Sequence, residues 1–434
     1  MTGVQDPERR SAADVEAENQ RVDAAKAELA MPAELVAQSS VDYLRAALVR
    51  IRAGESGVLP VVAGMLVISA LFQSLNSKFL TAPNLVNLLI QGAVFMLLAM
   101  GEIFALLLGE IDLSIGFVAG IGGTITAELV KQSLDWPWWA AIIVALLTCA
   151  AIGAFQGTLI TRLGLPSFVV TLAGLLGWQG VMLLMLGTGG SLPINNNVIN
   201  DFASGNLTPA ASWIVMLAIV AVFGLRTWTR DNRRRASGLV APPPGITLLK
   251  VAGAAVAGIV VVMICNTNRG RIVPIKGLPW VVLIVLGVAA LWTVLLGRTK
   301  VGRYMYAIGG NPEAARRAGV NLAGIRTLAF VLASTTAGIA GIVYASRLRS
   351  VSTALDGGTL VLYAVAAAVI GGTSLFGGRG KAVHGVLGGI VIAAIDNGMG
   401  LQGYSAAAKF VVTAIVLLAA VTVDAVAHRS RTTR

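Results

Sequence analysis

The chain has few of the side chains from which metal centres and disulfide frameworks are built. Its 434 residues include two histidines and two cysteines. His384 and His428 do not stand in a metal-ligand spacing, and Cys149 and Cys265 lie far apart in or beside apolar runs. The sequence therefore predicts no metal site and no disulfide, and both cysteines are expected to be packing residues.

Charged residues are also scarce. They make up 12% of the chain, while 56% of the residues are hydrophobic, and an ordinary soluble protein carries about twice that charged fraction. The formal net charge is +12, but the basic residues cluster in short loops between apolar runs, which is the pattern that sets membrane topology. We therefore predict a multi-span membrane protein in a lipid bilayer, without a nucleic-acid partner.

A phosphate-binding loop of the form G-x-x-x-x-G-K-[ST] is missing. The nearest match has Leu375 in place of the first glycine, and Ala382 follows Lys381 where serine or threonine is required. No serine, histidine and aspartate or paired carboxylates stand in a cleft-forming context. We predict that the chain has no catalytic residues and binds no cofactor.

Apolar segments follow one another along most of the chain, about twelve in all, and about 20 residues suffice for one bilayer crossing. The segment at 85–130 is too long for one crossing, so it must break. Gly109 can end its first helix, and Asp112 or Ser114 can cap the next one. The other segments lie at about 58–75, 137–163, 167–186, 211–228, 247–265, 278–296, 327–344, 360–375, 383–395 and 410–426.

Two glycine-rich interruptions suggest two related halves. GGTSLFGGRGKAVHG interrupts an apolar region of the second half much as GEIDLSIG does in the first, a pattern typical of transporters with pseudo-symmetric repeats. We predict an all-α polytopic membrane protein with about 10 to 12 transmembrane helices in two pseudo-symmetric halves. Glycines four residues apart, such as Gly153 and Gly157, should let its helices approach closely.

The distribution of lysine and arginine predicts the orientation. Roughly 25 of these residues fall on one side and roughly 8 on the other, and the richer side is cytoplasmic by the positive-inside rule. Residues 1–57 then form a cytoplasmic extension, 58–427 the transmembrane domain with a cytoplasmic loop at 298–326, and 428–434 a basic cytoplasmic tail. The loop at 188–209 has no lysine or arginine and is expected to be external.

A short, bounded helix is predicted inside the basic loop. Asn311 can cap its N-terminus, Pro312 suits the first helical position and Gly319 can supply a left-handed stop. Two turns of helix are marginal in water by themselves. Tertiary packing or a docked partner must therefore hold this helix.

Several segments resemble a known family of transport proteins. Glu313-Ala314-Ala315 with Gly319 resembles the EAA loop of ATP-binding-cassette importer permeases, and GRYMYAIGGNPEAARRAGVN is similar to their monosaccharide branch, which serves ribose, galactose, arabinose and xylose. GEIDLSIG and LPSFVVTLAGLLGWQG are similar to the same branch. The extra apolar pair joined by RDNRRRASGLVAPPPG resembles the longer xylose-type permeases, which favours xylose as the sugar.

The resemblance implies a permease subunit of a sugar importer in the bacterial plasma membrane. In that family the short helix is the coupling helix, which sits on a nucleotide-binding ATPase; two permease copies pair, and an extracytoplasmic binding protein delivers the sugar. The residues implied for coupling are Asn311, Pro312, Glu313, Ala314, Ala315, Arg316 and Gly319. Small Ala314 and Ala315 are expected to leave a close-fitting face for the ATPase.

Polar groups within apolar segments are candidates for the sugar path, because a charge is costly to bury in a bilayer. The candidates are Gln91, Glu110, Asp112, Ser114, Trp178, Asp396 and Asn397. Two interpretations stay open for the carboxylates. Glu110 and Asp112 can cap helix ends while Asp396 pairs or caps locally, or these groups can offer hydrogen bonds to sugar hydroxyls.

A second function remains compatible with the segment count. The chain could be an ion-coupled secondary transporter of about twelve spans, which would work without an ATPase and would need a membrane-embedded carboxylate for its coupling ion. Glu102 is the best candidate for that role. The bounded helix at 312–317 has no function in this alternative.

Overall fold

The computed structural model describes residues 59–239, 241–270 and 272–432, so the predicted extension at 1–57 lies outside the described residues. In the described part, fifteen α-helices account for nearly all regular structure, with one short 3-10 helix and one pair of short strands. The all-α prediction is confirmed.

The elements follow one another along the chain with short connections. The helices are α1 (Leu59–Leu75), α2 (Ala82–Leu107), α3 (Ile115–Leu129), α4 (Trp138–Arg162), α5 (Ser167–Leu186), α6 (Asn197–Ser204), α7 (Pro209–Ala236), α8 (Pro244–Asn266), α9 (Trp280–Arg298), α10 (Lys300–Gly310), α11 (Pro312–Arg317), α12 (Leu322–Leu348), α13 (Gly357–Ile370), α14 (Ala382–Leu401) and α15 (Ala406–Thr432). The strands β1 (Ser191–Pro193) and β2 (Ser350–Ser352) pair antiparallel, with Leu192 opposite Val351.

Many of these helices suit a bilayer. Eight of the described helices are long and apolar enough to cross a membrane, namely α2, α4, α5, α7, α8, α9, α12 and α14. Four shorter apolar helices, α1, α3, α13 and α15, accompany them. These helices correspond to the apolar segments of the sequence, and the chain is a polytopic membrane protein.

The long apolar stretch at 85–130 is interrupted where the sequence predicts. α2 ends at Leu107 and α3 begins at Ile115. Between them Gly109 has a φ of +75°, a left-handed conformation that glycine adopts without steric cost. The chain can therefore leave α2 sharply and start α3 after only seven residues that belong to neither helix.

α2 and α12 lie at the centre of the larger packing unit. Residues 92–107 of α2 are buried throughout, as expected for a helix that is apolar on every face. α12 packs along α2, α3 and α4, while α14 packs along α2 from another side. The core of this unit is therefore a bundle around two long helices.

Glycines bring these helices close together, as the sequence predicts. A Cβ atom on Gly153 of α4 would lie 2.3 Å from the Phe330 carbonyl oxygen of α12, and one on Gly157 would lie 2.7 Å from the Thr327 Cα. On α14, a Cβ atom on Gly389 would meet the backbone of α2 at 2.7 Å. Any side chain at these positions would force the helices apart.

Among the described residues, 214–260 form a separate packing unit made of parts of α7 and α8. Its turn is held by polar contacts. Thr247 Oγ1 donates to Asp231 Oδ2 at 2.9 Å, and Arg235 Nη2 donates to the Pro242 carbonyl at 2.8 Å. The described residues of the basic, proline-containing joint therefore connect α7 and α8 as a helical hairpin.

Candidate coupling segment and polar clusters

α11 is a short helix with both ends satisfied locally. Asn311 Oδ1 accepts a hydrogen bond from the Ala314 backbone N–H at 2.9 Å. Pro312 occupies the first turn, and Gly319 has a φ of +80° just beyond the C-terminal end. The predicted cap, start and stop are confirmed, because each depends only on neighbouring residues.

Ion pairs add little to α11. Glu313 lies 2.8 Å from an Arg316 nitrogen and 3.1 Å from Arg317 Nε. The side chains of all three residues are at least half exposed, and exposed pairs of this kind contribute about 0–1 kcal/mol. α11 must therefore be held in place mainly by its attachment to the bundle.

Ala315 provides that attachment, which corrects one expectation from the sequence. Only 4% of its surface is exposed, and it belongs to the main hydrophobic core. Ala315 therefore faces its own chain rather than a partner. The neighbouring Asn311, Pro312, Glu313, Ala314, Arg316 and Gly319 are all exposed. Ala314 is thus accessible to a partner, whereas Ala315 is not.

The helices on either side of α11 also begin at side-chain caps. Thr299 Oγ1 accepts from the Gly302 N–H at 3.2 Å at the start of α10, and Asn321 Oδ1 accepts from the Gly324 N–H at 3.0 Å at the start of α12. α10 is anchored by buried Met305 and Ile308. We call residues 299–326, from the cap of α10 to the fifth residue of α12, the coupling segment.

A buried polar cluster, the α2–α3 cluster, surrounds the break between those two helices. It consists of Glu102, Asp112, Ser114 and Gln156, none more than 1% exposed. Glu102 Oε1 accepts from the Asp112 backbone N–H at 3.1 Å, and Gln156 Nε2 of α4 donates to Ser114 Oγ at 2.9 Å. The cluster therefore ties the break to α4.

The capping roles expected at the break are only partly correct. Ser114 is the N-cap residue of α3, but its side chain makes no cap hydrogen bond. Its hydroxyl instead donates to Asp112 Oδ1 at 2.6 Å, and the same oxygen accepts the Ser114 backbone N–H at 2.9 Å. Asp112 thus holds the start of α3, whereas Ser114 connects Asp112 to Gln156.

Glu110 has a long-range partner rather than a capping role. Arg326, the fifth residue of α12, donates from Nε to Glu110 Oε1 at 2.6 Å. The Glu110 side chain is 9% exposed and that of Arg326 is 35% exposed. A predicted path residue is therefore bound directly to the coupling segment.

Trp178 of α5 lies beside the α2–α3 cluster. A Cβ atom on Gly174 would lie 2.2 Å from Gln156 Nε2 and 3.3 Å from Trp178 Nε1, so the lack of a side chain at Gly174 lets α5 approach. The ring of Trp178 packs edge-on against Phe155, with centroids 6.5 Å apart. Its indole N–H is buried and has no partner among the described residues.

The remaining candidates meet in a second place, the α2–α14 cluster. Gln91 of α2 donates to Asp396 of α14, and Lys409 Nζ of α15 pairs with Asp396 Oδ1 at 2.9 Å. Asn84 Nδ2 donates to Asn397 Oδ1 at 2.8 Å. Asp396 is thus paired with Lys409, which agrees with the interpretation that Asp396 is paired. It also shares this cluster with the amides of Gln91 and Asn397.

The seven path candidates therefore form two groups. Gln91 lies 16 residues before the end of α2, which places the α2–α14 cluster about 24 Å along that helix from its coupling-segment end. A cavity of about 170 Å³ lies between α3, α12 and β2, and it is lined by Gly123, Tyr344 and Ser352 among others. None of the seven candidates lines it.

Sequence reasoning missed four partners, Asn84, Gln156, Arg326 and Lys409. Asn84 and Gln156 carried a usable signal, since each is an amide in an apolar helix. Arg326 and Lys409 did not, because a basic residue at a helix end is ordinarily explained by topology.

Comparison with known proteins identifies similar sequences. Residues 84–421 match the protein family described as branched-chain amino acid transport system / permease component. The chain is 33% identical to the xylose transport system permease protein of Escherichia coli, over 86% of this chain and 92% of that protein. It is 29% identical to the ribose import permease protein of Escherichia coli, over 83% and 91%, and 28% identical to its D-allose transport system permease protein, over 82% and 88%. No solved structure matches this chain.

Proposed function

This chain belongs to the family of transport-system permease components, and from that premise we propose that it forms the membrane path of an ATP-driven importer for xylose or a related monosaccharide. It is a multi-pass subunit of the bacterial cytoplasmic membrane, and its role is transport rather than catalysis. The relatives that match over most of its length carry ribose, allose and xylose in their names. They do not favour the alternative of an ion-coupled transporter.

The proposal rests mainly on α11. Its ends are capped and its outer face is exposed, while Ala315 on its inner face is buried. A six-residue helix has little stability of its own, and here two local caps and the buried Ala315 hold it with its outer face exposed, as docking on a partner would require. We infer that Asn311, Pro312, Glu313, Ala314, Arg316 and Gly319 contact a nucleotide-binding ATPase. That partner uses the ATP, and this chain needs no cofactor.

The orientation follows from the same segment. The coupling segment and the turn of the α7–α8 hairpin are rich in arginine, whereas the loop at 188–209 has no basic residue. The positive-inside rule then assigns the coupling segment and both termini to the cytoplasm. β1 and α6 lie in the external loop, where an extracytoplasmic sugar-binding protein can dock.

The two polar clusters supply the groups that a sugar path needs. Amides and carboxylates at Gln91, Asp396 and Asn397 offer donors and acceptors to sugar hydroxyls, and weak binding at several sites favours passage over retention. We infer that a second copy of the chain completes the path, as a pair of permeases above a pair of ATPases. Glu102 is engaged with the Asp112 N–H, which supports a structural role at the break.

Reconstitution tests this proposal. The chain is inserted into liposomes together with candidate ATPase and sugar-binding proteins from the same genome, and uptake of labelled xylose, ribose, arabinose, galactose and allose is measured. We expect uptake that needs ATP inside and binding protein outside, and an ATPase variant unable to hydrolyse ATP is the matched control. Uptake by the chain alone along an ion gradient would overturn the proposal.

A further inference from the structure

Three glycine-containing segments meet at the C-terminal end of α10. They are the end of α2 with Gly109, the last turn of α10 with Gly309, and the connection between α13 and α14 with Gly377 and Gly378. The Gly378 N–H donates to the Leu107 carbonyl, the last of α2, at 2.9 Å. We call this meeting point the glycine junction.

The contacts in the glycine junction are between backbones. A Cβ atom on Gly309 would lie 1.8 Å from the Leu107 carbonyl oxygen and 2.4 Å from the Gly378 nitrogen. A Cβ atom on Gly377 would lie 2.8 Å from the Gly309 oxygen and 3.0 Å from the Gly109 nitrogen. These distances are too short for any side chain, so the three segments touch without a flexible group between them.

Two side-chain hydrogen bonds accompany the backbone contacts. Tyr306 of α10 donates its hydroxyl to the Gly380 carbonyl at 2.6 Å. Burial raises the pKa of Tyr306 above its ordinary value. Arg326 binds Glu110 on the other side. The break between α2 and α3 and the connection between α13 and α14 are thus each joined to the coupling segment by a backbone contact and by one side chain.

We propose that the glycine junction transmits movement of α11 both to the break between α2 and α3 and to the connection between α13 and α14. Gly309 is the positioning residue of this junction. This inference rests on the proposed ATPase contact of α11. α10 is a continuous helix of 11 residues that leads through Asn311 into α11, so a displacement of α11 moves the Gly309 end directly. Close-packed backbone contacts pass such a displacement on, because no rotamer change can absorb it.

The chain offers a matched pair of variants. Gly309→Ala places a methyl group against the Leu107 carbonyl, whereas a Cβ atom on neighbouring Gly310 meets nothing within 4 Å. Both glycines lie in the last turn of α10 and have ordinary helical backbone, so the two substitutions change helix propensity alike. Tyr306→Phe serves as a milder third variant, since it removes one hydrogen bond and keeps the ring.

The experiment compares these variants in the complete reconstituted complex. Three quantities are measured: co-purification of the ATPase, its basal hydrolysis, and its stimulation by the sugar-loaded binding protein. For Gly309→Ala we expect normal co-purification and basal hydrolysis with stimulation reduced about fivefold or more, the size of a typical coupling free energy. Tyr306→Phe should reduce stimulation in the same direction, and Gly310→Ala should leave it unchanged.

The outcomes separate this inference from the proposed function. If the unaltered complex shows no ATPase association or no stimulation, the proposed function fails. If the unaltered complex is stimulated and Gly309→Ala behaves like Gly310→Ala, the junction is only a packing contact. Loss of ATPase co-purification in Gly309→Ala also overturns the inference, because the residue would then shape the docking face. If Gly309→Ala does not insert into the membrane, normal stimulation of Tyr306→Phe overturns it.

Discussion

Arg326 and Glu110 are bonded at 2.6 Å although 216 positions separate them in the chain. The bond joins the N-terminal part of α12 to the break between α2 and α3, so it connects the coupling segment to the centre of the bundle. Both side chains are partly or largely buried. Removing one partner leaves the other with an incompletely satisfied charge.

Glu110→Leu should therefore destabilise the protein, because leucine offers no acceptor to the Arg326 guanidinium. We expect the free energy of unfolding to fall by about 1–3 kcal/mol, the usual cost of leaving a buried polar group without its partner. The measurement is the thermal midpoint of the detergent-solubilised protein. In a separate double-mutant cycle, the charge-exchanged pair Glu110→Arg with Arg326→Glu should be more stable than the summed losses of its two single variants imply, and an additive loss would contradict the pairing.

Substitutions at Ala314 and Ala315 should have different consequences. Ala315→Leu overfills a buried site and should lower stability by about 1–3 kcal/mol. Ala314→Leu lies on the exposed face, so it should leave the thermal midpoint unchanged while weakening co-purification of the ATPase. Equal thermal midpoints for the two variants would show that Ala315 is not part of the core.

Substitutions at Gly319 test whether α11 needs a left-handed residue just beyond its C-terminal end. Its φ of +80° is costly for a β-branched residue, by about 1–2 kcal/mol, although a side chain there would meet nothing within 4 Å. Gly319→Val should disturb the end of α11 and reduce stimulated ATP hydrolysis, with insertion retained. Gly319→Asn is the control, because asparagine tolerates the left-handed region. Valine and asparagine variants with the same stimulation would argue against a backbone requirement.

Asp112 should tolerate asparagine better than leucine. Asparagine keeps an oxygen that can accept the Ser114 backbone N–H, whereas leucine leaves this buried donor without a partner at a cost of about 1–3 kcal/mol. Sugar uptake and thermal midpoint should therefore follow the order wild type, Asp112→Asn, Asp112→Leu. Unimpaired uptake by the leucine variant would remove Asp112 from both its structural and its path roles.

Cysteine labelling tests the orientation. Asn197 in the loop at 188–209 and Arg316 on α11 are both exposed. A membrane-impermeant maleimide added to intact cells should label Asn197→Cys directly and Arg316→Cys only after permeabilisation. The reverse pattern would invert the assigned topology and remove the docking sites proposed on each side.

The sequence predicted features that depend on neighbouring residues. Asn311, Pro312 and Gly319 determine α11 within nine positions, and Gly109 together with the excess length of the segment at 85–130 predicts the break between α2 and α3. The side of α11 that faces the bundle was not predictable, because six residues are too few for a hydrophobic period to emerge. Ala315 was for that reason assigned to the wrong surface.

Long-range pairing was the other gap. Glu110 with Arg326 and Asp396 with Lys409 each satisfy a carboxylate through a residue of another helix, and no local pattern specifies such a partner. Ser114 shows a related problem, because its hydroxyl could either cap the start of α3 or donate to a neighbouring carboxylate. The structure places it on Asp112, where the charge makes the stronger hydrogen bond.

α12 is an unbroken helix of 27 residues, about 40 Å long. Its N-terminal part contacts α11, and its far end leads into β2, which pairs with β1 in the loop at 188–209. In the proposed complex the ATPase and the sugar-binding protein therefore touch opposite ends of one rod. Thermodynamic linkage then sets a quantitative condition. Whatever factor ATP on the ATPase imposes on the dissociation constant of the binding protein, the binding protein must impose the same factor on the dissociation constant for ATP.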